Sequence, residues 1–403
     1  MKSGIDPTRI DPGFLQEITD PIGQLYEAAT HDLLMSIASR LPALSLPRSM
    51  IPGGLQWQAY MLEQVGGLTD ESMRILSEYS GASEMLTPDI IRSMVTRAIG
   101  VVEPELEAMV NKPGYVPRTS ATVDRITSAY TSQALARQNL VNTVMLDSTR
   151  RAWQQVCADT ASNVNRLLRA QETLNTEAGQ TILGAKSLQQ AVRSAVLKMA
   201  DDGLTGFTDI SGRSWSPEAY VTMDIRTTAA NAARTAAMER NEEYGNHLIM
   251  VSSHPGARPR CEPFQGRVYS TDGTAGTAYD QHGAALEYIP LEATSYGEPA
   301  GLFGINCGHF AYPFVSHQSV LRTATVDHDE NTRLYQESQQ QRYMERKVRA
   351  FRQRADLLKA AGDDEGAKEM RRRARIANAE LQDWCDEKKR MYQPERTRII
   401  RPR

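Results

Sequence analysis

Apolar positions in the first part of the chain recur at helical spacing in short runs broken by proline and glycine. The runs are 13 to about 40, then 55–65, 70–79 after a capping Thr69, and 88–99 after a capping Thr87. This pattern predicts a small helical module over residues 1–112. A turn-forming stretch, Asn111-Lys112-Pro113-Gly114-Tyr115-Val116-Pro117, follows it and precedes a long polar helical region. Across roughly 121–175, Val123, Ile126, Tyr130, Ala134, Val141 and Val144 recur at spacings of three, four and seven, so one narrow face is apolar and the rest is wet. The many Thr, Ser, Ala and Asn residues there favour close helix packing or a spacer over a thick core. A second amphipathic helix, over 186–202, carries Leu188, Val192, Val196, Leu197 and Met199 and closes at Asp201-Asp202-Gly203.

In Ser214-Trp215-Ser216-Pro217-Glu218 a serine stands one residue before a proline, which marks a helix start. That helix runs through Tyr220, Met223, Ile225 and the alanine-rich 229–237 to about Glu243, where Gly245 ends it. Leu248-Ile249-Met250-Val251-Ser252 is an apolar run too short for a helix and suited to a buried strand. From 253 to 318 the composition shifts to Gly, Pro, Tyr and Ser, with strand candidates at 267–269, 287–290 and 310–313. Beyond Asp327 two heptad-like stripes appear: Met344, Val348, Phe351, Ala355, Leu358, and Ala367, Met370, Ala374, Ala377, Leu381, Trp384. The turn Ala361-Gly362-Asp363-Asp364 between them predicts an antiparallel helical hairpin. The expected fold class is therefore mainly α with a small central α+β domain. Its four regions are a helical module (1–112), a long helical region (121–202), an α+β domain (214–318) and a basic hairpin tail (328–403).

Composition narrows the class without changing this picture. The 403 residues suit two or three domains, and 40% hydrophobic with 24% charged residues is ordinary for a folded soluble protein. No apolar run reaches the roughly 18 residues of a membrane span, and Met1-Lys2-Ser3-Gly4-Ile5-Asp6-Pro7 lacks the apolar core of a secretory signal. No membrane partner and assembly in the cytoplasm are expected. Cys157, Cys261, Cys307 and Cys385 are too few and too scattered for a disulfide framework, so reduced thiols are the expectation. The net charge of −3 hides an asymmetry: residues 331–403 hold 20 Lys+Arg against 12 Asp+Glu, leaving 26 against 37 in the rest. A tail of about +8 on a body of about −11 points to an anionic partner, nucleic acid or an acidic protein surface.

Thiols and imidazoles cluster in two places, His254-Pro255-Gly256-Ala257-Arg258-Pro259-Arg260-Cys261 and Gly304-Ile305-Asn306-Cys307-Gly308-His309. If they meet, His254, Cys261, Cys307 and His309 form a two-thiolate, two-imidazole set suited to a structural zinc, although the His-x6-Cys spacing matches no familiar finger. The plainer reading makes the cysteines small buried hydrophobes and the histidines hydrogen-bonding pins of a turn-rich unit. A third reading pairs Cys307 with His309 as nucleophile and base, but no orienting group or pocket is visible. No Walker-type glycine loop, His-Glu-x-x-His or Gly-x-Ser-x-Gly occurs. Glu239, Glu242 and Glu243 share a helix with Arg234 and Arg240, which reads as a solvated face with local ion pairs. In the tail, Arg371, Arg372, Arg373 and Arg375, then Arg396, Arg398, Arg401 and Arg403, are the candidate DNA-binding residues, against the ordinary alternative of a solvated helix face.

Three blocks resemble the phage minor capsid proteins of the second type, distantly related to Mu-like head morphogenesis proteins. The first is Tyr220-x2-Met223-x2-Arg226-Thr227 with Arg240-Asn241-Glu242-Glu243-Tyr244-Gly245. The second, the signature itself, is Ser252-Ser253-His254-x2-Ala257-Arg258-x2-Cys261-x3-Gln265-Gly266 with Gly304-Ile305-Asn306-Cys307-Gly308-His309. The third is Tyr335-x3-Gln339-x2-Arg342-x2-Glu345-Arg346-x2-Arg349. The blocks span residues 215 to 360; the first 120 residues match no motif. The resemblance implies a non-enzymatic protein of the virion, present in few copies inside the phage head near the portal vertex and needed for head assembly or for DNA packaging and delivery. Its implied partners are the portal protein and the major capsid or scaffold proteins, with phage DNA as a further one and no small-molecule substrate. Phe264 follows Cys261-Glu262-Pro263 where Mu-like relatives often carry a second cysteine, so a four-cysteine metal site does not carry over.

Overall fold

A computed structural model of the chain describes residues 9–41, 55–110, 119–171, 177–204, 207–208, 212, 214–321 and 327–399. Its helices are α1 (Pro12–Ser39), α2 (Leu55–Val110), α3 (Thr119–Gln171), α4 (Glu177–Asp202), α5 (Pro217–Glu243), α6 (His328–Ala360) and α7 (Asp364–Glu387). The strands are β1 (Phe207–Thr208), β2 (Ser214–Trp215), β3 (Leu248–Val251), β4 (Val268–Ser270), β5 (Gly276–Tyr279), β6 (Ala285–Pro290) and β7 (Ala311–Pro313). The chain is mainly α with a small α+β region, as the patterning predicts. Among the described residues no helix is long and apolar enough to cross a membrane.

One helical expectation is corrected. The runs at 55–65, 70–79 and 88–99 are parts of a single 56-residue helix, α2, with Pro88 and Pro104 inside it. Neither threonine acts as a cap. Thr69 Oγ1 donates back to the Val65 carbonyl at 2.9 Å, and the buried Thr87 Oγ1 accepts from the Gln138 side-chain amide at 3.1 Å. An internal proline costs a helix about 3 kcal/mol. Ile91, Met94, Val95, Val102 and Leu106 beyond Pro88 are completely buried, and each large apolar side chain removed from water contributes roughly 1.5–3 kcal/mol. Burial therefore outweighs the local break.

The chain divides into two compact units, each drawn from three separated stretches. The first comprises Met1–Gly23, Ser83–Gln138 and Val221–Gln339; the second comprises Gln24–Ala82, Asn139–Tyr220 and Gln340–Arg403.

The first unit holds a five-stranded sheet of order β5-β6-β4-β3-β7, in which only β4 and β6 run parallel. Strand alternation sends Ile249 and Val251 to one face, with Tyr269, Leu291, Leu302, Phe303 and Ala311, while Met250 joins Val268, Ala278 and Phe314 on the other. Both faces of β3 are covered, which is why its sequence reads as an unbroken apolar run. The expected strands appear as β3, β4, β6 and β7. Strand β5 escapes the pattern because, of Gly276-Thr277-Ala278-Tyr279, only Ala278 is buried. Along α5, Ala229, Ala232, Ala233 and Ala236 are completely buried, so the alanine-rich run is a close-packed core face.

In the second unit, polar pairs supplement the narrow apolar stripes. Tyr79 donates to Asp32 at 2.6 Å, Asn142 to Ser80 at 3.1 Å and Lys198 to Asp159 at 2.8 Å. The hairpin expected in the tail is present. Val348, Ala377, Leu381 and Cys385 form its buried seam, flanked by Met344, Phe351 and Trp384. Gly362 takes the left-handed conformation, φ 79°, that the tight turn demands. Asp363 then caps α7 by accepting from the Gly366 N–H at 2.9 Å, and Arg193 of α4 grips the same carboxylate with two nitrogens.

Candidate functional site

The four candidate ligands come from two loops of the first unit that meet at the end of β3. After β3 the chain turns through Gly256, φ 72°, and the side chain of Asn331 locks the turn. Its oxygen accepts from Ala257 N–H at 2.8 Å and its amide donates to the Ala257 carbonyl at 2.9 Å. This sets Cys261 at the head of the short helical turn Glu262–Phe264. In the second loop Asn306 has φ 56° and Cys307 N–H bonds to the Gly304 carbonyl at 3.0 Å. Gly308 is required there: a Cβ on it would lie 2.8 Å from Pro12 Cγ.

Cys307 and His309, two residues apart in extended backbone, turn the same way. Cys261 Sγ lies 3.9 Å from Cys307 Sγ, and Cys307 Sγ lies 3.4 Å from His309 Nδ1. All three side chains are buried, and their ligand atoms lie within 4.8 Å of one another. His254 stands beside the group, its ring stacked on that of His309 with centroids 4.4 Å apart. Its Nδ1 faces the Pro255 carbonyl at 3.2 Å and its Nε2 is buried without a hydrogen-bond partner. The structure thus brings all four together, three as one cluster and His254 against it.

The electrostatics separate the two thiols. The hydrogen bond to Cys307, then burial, push Cys261 far above the usual thiol range. The same hydrogen bond from Cys261, opposed by burial and aided by the Arg234 charge, holds Cys307 well below it. Burial, then the neighbouring His309, press His254 down to about 4.

Three further residues complete the site: Gln265 and Arg258, which stand in the signature block without an assigned part, and Arg234, expected on a solvated face. Gln265 Oε1 accepts from the His254 backbone N–H at 3.2 Å and faces His309 Nε2 at 3.2 Å. Arg258 donates to the Ile305 carbonyl at 2.8 Å and approaches Cys261 Sγ at 3.5 Å. Arg234 donates to the carbonyls of His309 at 3.0 Å and Phe303 at 3.1 Å, and also bonds Asn231. The solvated face expected for Arg234 and Arg240 is therefore corrected: they are only 4% and 2% exposed. Arg240 forms a two-nitrogen pair with Glu103, which also accepts from Tyr244 at 2.7 Å. A usable signal was present: Arg234 lies four residues after Ala230 and three before Ala237, on the buried alanine stripe.

The basic tail candidates divide differently. Arg371, Arg372, Arg373 and Arg375 are exposed on α7. Arg372 and Arg373 both pair with Glu369 at 2.9 Å, whereas Arg371 and Arg375, one turn apart, have no ion pair among the described residues. Arg396 is half-buried 3.9 Å from Glu345, whose carboxyl burial pushes up against the pull of Arg396. Arg398 is exposed, and Arg401 and Arg403 lie outside the described residues.

The family model described as Phage minor capsid protein 2 matches residues 10–386. A structural protein of Lactococcus phage LL-H is 27% identical over 352 residues, covering 86% of this chain and 90% of that protein. A structural protein of Lactococcus phage mv4 is 36% identical over 114 residues, covering 28% of this chain and 80% of that protein. No solved structure matches the chain.

Proposed function

The chain belongs to the phage minor capsid protein 2 family, and from that premise we propose that it is a structural rather than catalytic component of a tailed-phage head, acting in head assembly beside the portal. The observation that carries this reading is the extent of the match, which takes in both compact units and is not confined to the loops around Cys261 and Cys307. The kinship with a structural protein of phage LL-H over 86% of the chain supports it. The site geometry is of a piece with it, since Cys261, Cys307 and His309 are wrapped in backbone and hydrogen bonds as a clamp between two loops would be. In this role the portal protein and the major capsid or scaffold proteins are the partners. Co-expression with the portal and scaffold proteins tests it: the tagged chain co-purifies with a portal oligomer. A chain that stays monomeric and ignores portal, capsid and scaffold proteins overturns it.

A second reading, contact with packaged DNA through the tail, is favoured by Arg371 and Arg375, exposed on α7 with no ion pair among the described residues. Arg372 and Arg373 already share Glu369, so few phosphates are engaged. Two phosphate contacts weaken binding roughly tenfold over a fourfold rise in salt. DNA affinity that does not change with salt excludes this mode.

A further inference from the structure

We propose that Cys261, Cys307, His309 and His254 hold a structural zinc ion that ties the 254–261 loop to the 304–309 loop. The spacing carries the case. A tetrahedral zinc with bonds of about 2.3 Å to sulfur and about 2.0 Å to nitrogen sets its ligands about 3.8 Å apart for two sulfurs and about 3.5 Å for sulfur and nitrogen. The observed 3.9 Å between Cys261 and Cys307 and 3.4 Å between Cys307 and His309 Nδ1 match these two edges.

The surroundings select the ligand atoms. An amide oxygen only accepts, and Gln265 Oε1 faces His309 Nε2 at 3.2 Å, so Nε2 carries the proton and Nδ1 presents its lone pair to Cys307. Metal-bound imidazoles are oriented by this kind of second hydrogen bond. A sulfur and a lone pair facing each other at 3.4 Å need a positive centre between them, a proton or a metal ion. The buried guanidinium of Arg234, bonded to the backbone of His309, and Arg258, 3.5 Å from Cys261 Sγ, make the pocket hospitable to two thiolates. With two thiolates and two neutral imidazoles around a divalent cation the buried set is neutral overall, which lowers the cost of burying it.

His254 is the fourth ligand through Nε2. That atom is buried and unpartnered, and its ring lies against that of His309 with centroids 4.4 Å apart. To coordinate, its ring must leave the stack on His309, since Cys261, Cys307 and His309 are the described residues whose ligand atoms already lie within 4.8 Å of one another. Loading releases the thiol protons, which pass to solvent, and no electron moves.

The test is elemental analysis of the full chain, purified under reducing conditions and reloaded with zinc. It is expected to hold about one zinc per chain, and Cys261→Ser and Cys307→Ser each to lose it. Cobalt in place of zinc is expected to show thiolate charge-transfer absorption and the intense visible bands of a tetrahedral site, a readout on the wild-type chain that holds even where the serine variants fail to fold. His254→Ala weakens zinc at least about tenfold, whereas His282→Ala, at an exposed histidine, leaves it unchanged. Wild-type chain that takes up no zinc, or whose intact mass shows a Cys261–Cys307 disulfide under these conditions, overturns the proposal, as does a Cys261→Ser, Cys307→Ser double variant that keeps its metal. Wild-type zinc affinity in His254→Ala removes His254 from the set.

Discussion

The hairpin of α6 and α7 and the segment 254–309 both bury cysteines, yet their residues meet for different reasons. In the hairpin, Val348 faces Ala377, Leu381 and Cys385 because positions three and four apart line one side of each helix and a single turn folds one helix back on the other. In the segment, His309 is held by Gln265, 44 residues earlier, and by Arg234, 75 residues earlier. The first is local periodicity closed by apolar burial; the second is polar satisfaction assembled over distance. The difference teaches where a substitution should hurt: the segment fails through one orphaned polar group, the hairpin through lost volume.

The sharpest way to break this comparison is Arg234→Ala. It strips the carbonyls of Phe303 and His309 of their donor and should cost about 3–5 kcal/mol in urea unfolding, or solubility altogether. Arg234→Lys, with one nitrogen for two carbonyls, should recover only part. A loss under about 1 kcal/mol would mean that the buried charge does not organise the segment.

Next comes Leu381→Ala in the seam of the hairpin. The completely buried leucine leaves a cavity costing about 3 kcal/mol, while zinc content and the segment are untouched. Spread of the damage into the segment would dissolve the distinction between the two regions.

Asp363→Asn sharpens the comparison within the hairpin. Asparagine still caps α7, so the substitution removes mainly the charge gripped by Arg193, worth about 1–2 kcal/mol at neutral pH. Burial works to raise the Asp363 carboxyl, but the Arg193 hydrogen bond and charge and the Gly366 N–H outweigh it and hold the pKa below 3.8. The folded form then binds its proton less readily than the unfolded form. The stabilisation is complete above the ordinary value and fades as pH falls through the depressed one. The gap between wild type and Asp363→Asn should close on acidification below 3.8 and stay constant above it.

The smallest expected effect has the opposite sign. Gly81 is exposed within α2, and a Cβ added to it would meet nothing within 4 Å, so Gly81→Ala should stabilise by about 0.5–1 kcal/mol in thermal unfolding.

What could be read beforehand follows the same division. The two heptad stripes and the turn between them predicted the hairpin because each helix declares its own buried face. The runs at 248–252, 267–269, 287–290 and 310–313 were legible as strands because their burial alternates or saturates over a few residues. The continuity of α2 was not: Thr87-Pro88 looks like a cap and a start until the burial of Ile91, Met94 and Val95 is known. His254, Cys261, Cys307 and His309 could be named as a group from their chemistry. That Cys307 sits 3.4 Å from His309 Nδ1, or that Gln265 and Arg234 serve the same pocket, depends on contacts no local pattern encodes.

A structural role in the head requires that this family member be built into the particle. Quantitative mass spectrometry of gradient-purified, nuclease-treated phage should find the chain in intact virions at a small fraction of the major capsid protein. Its absence from intact particles, with the chain recovered only in the soluble lysate, would contradict the account.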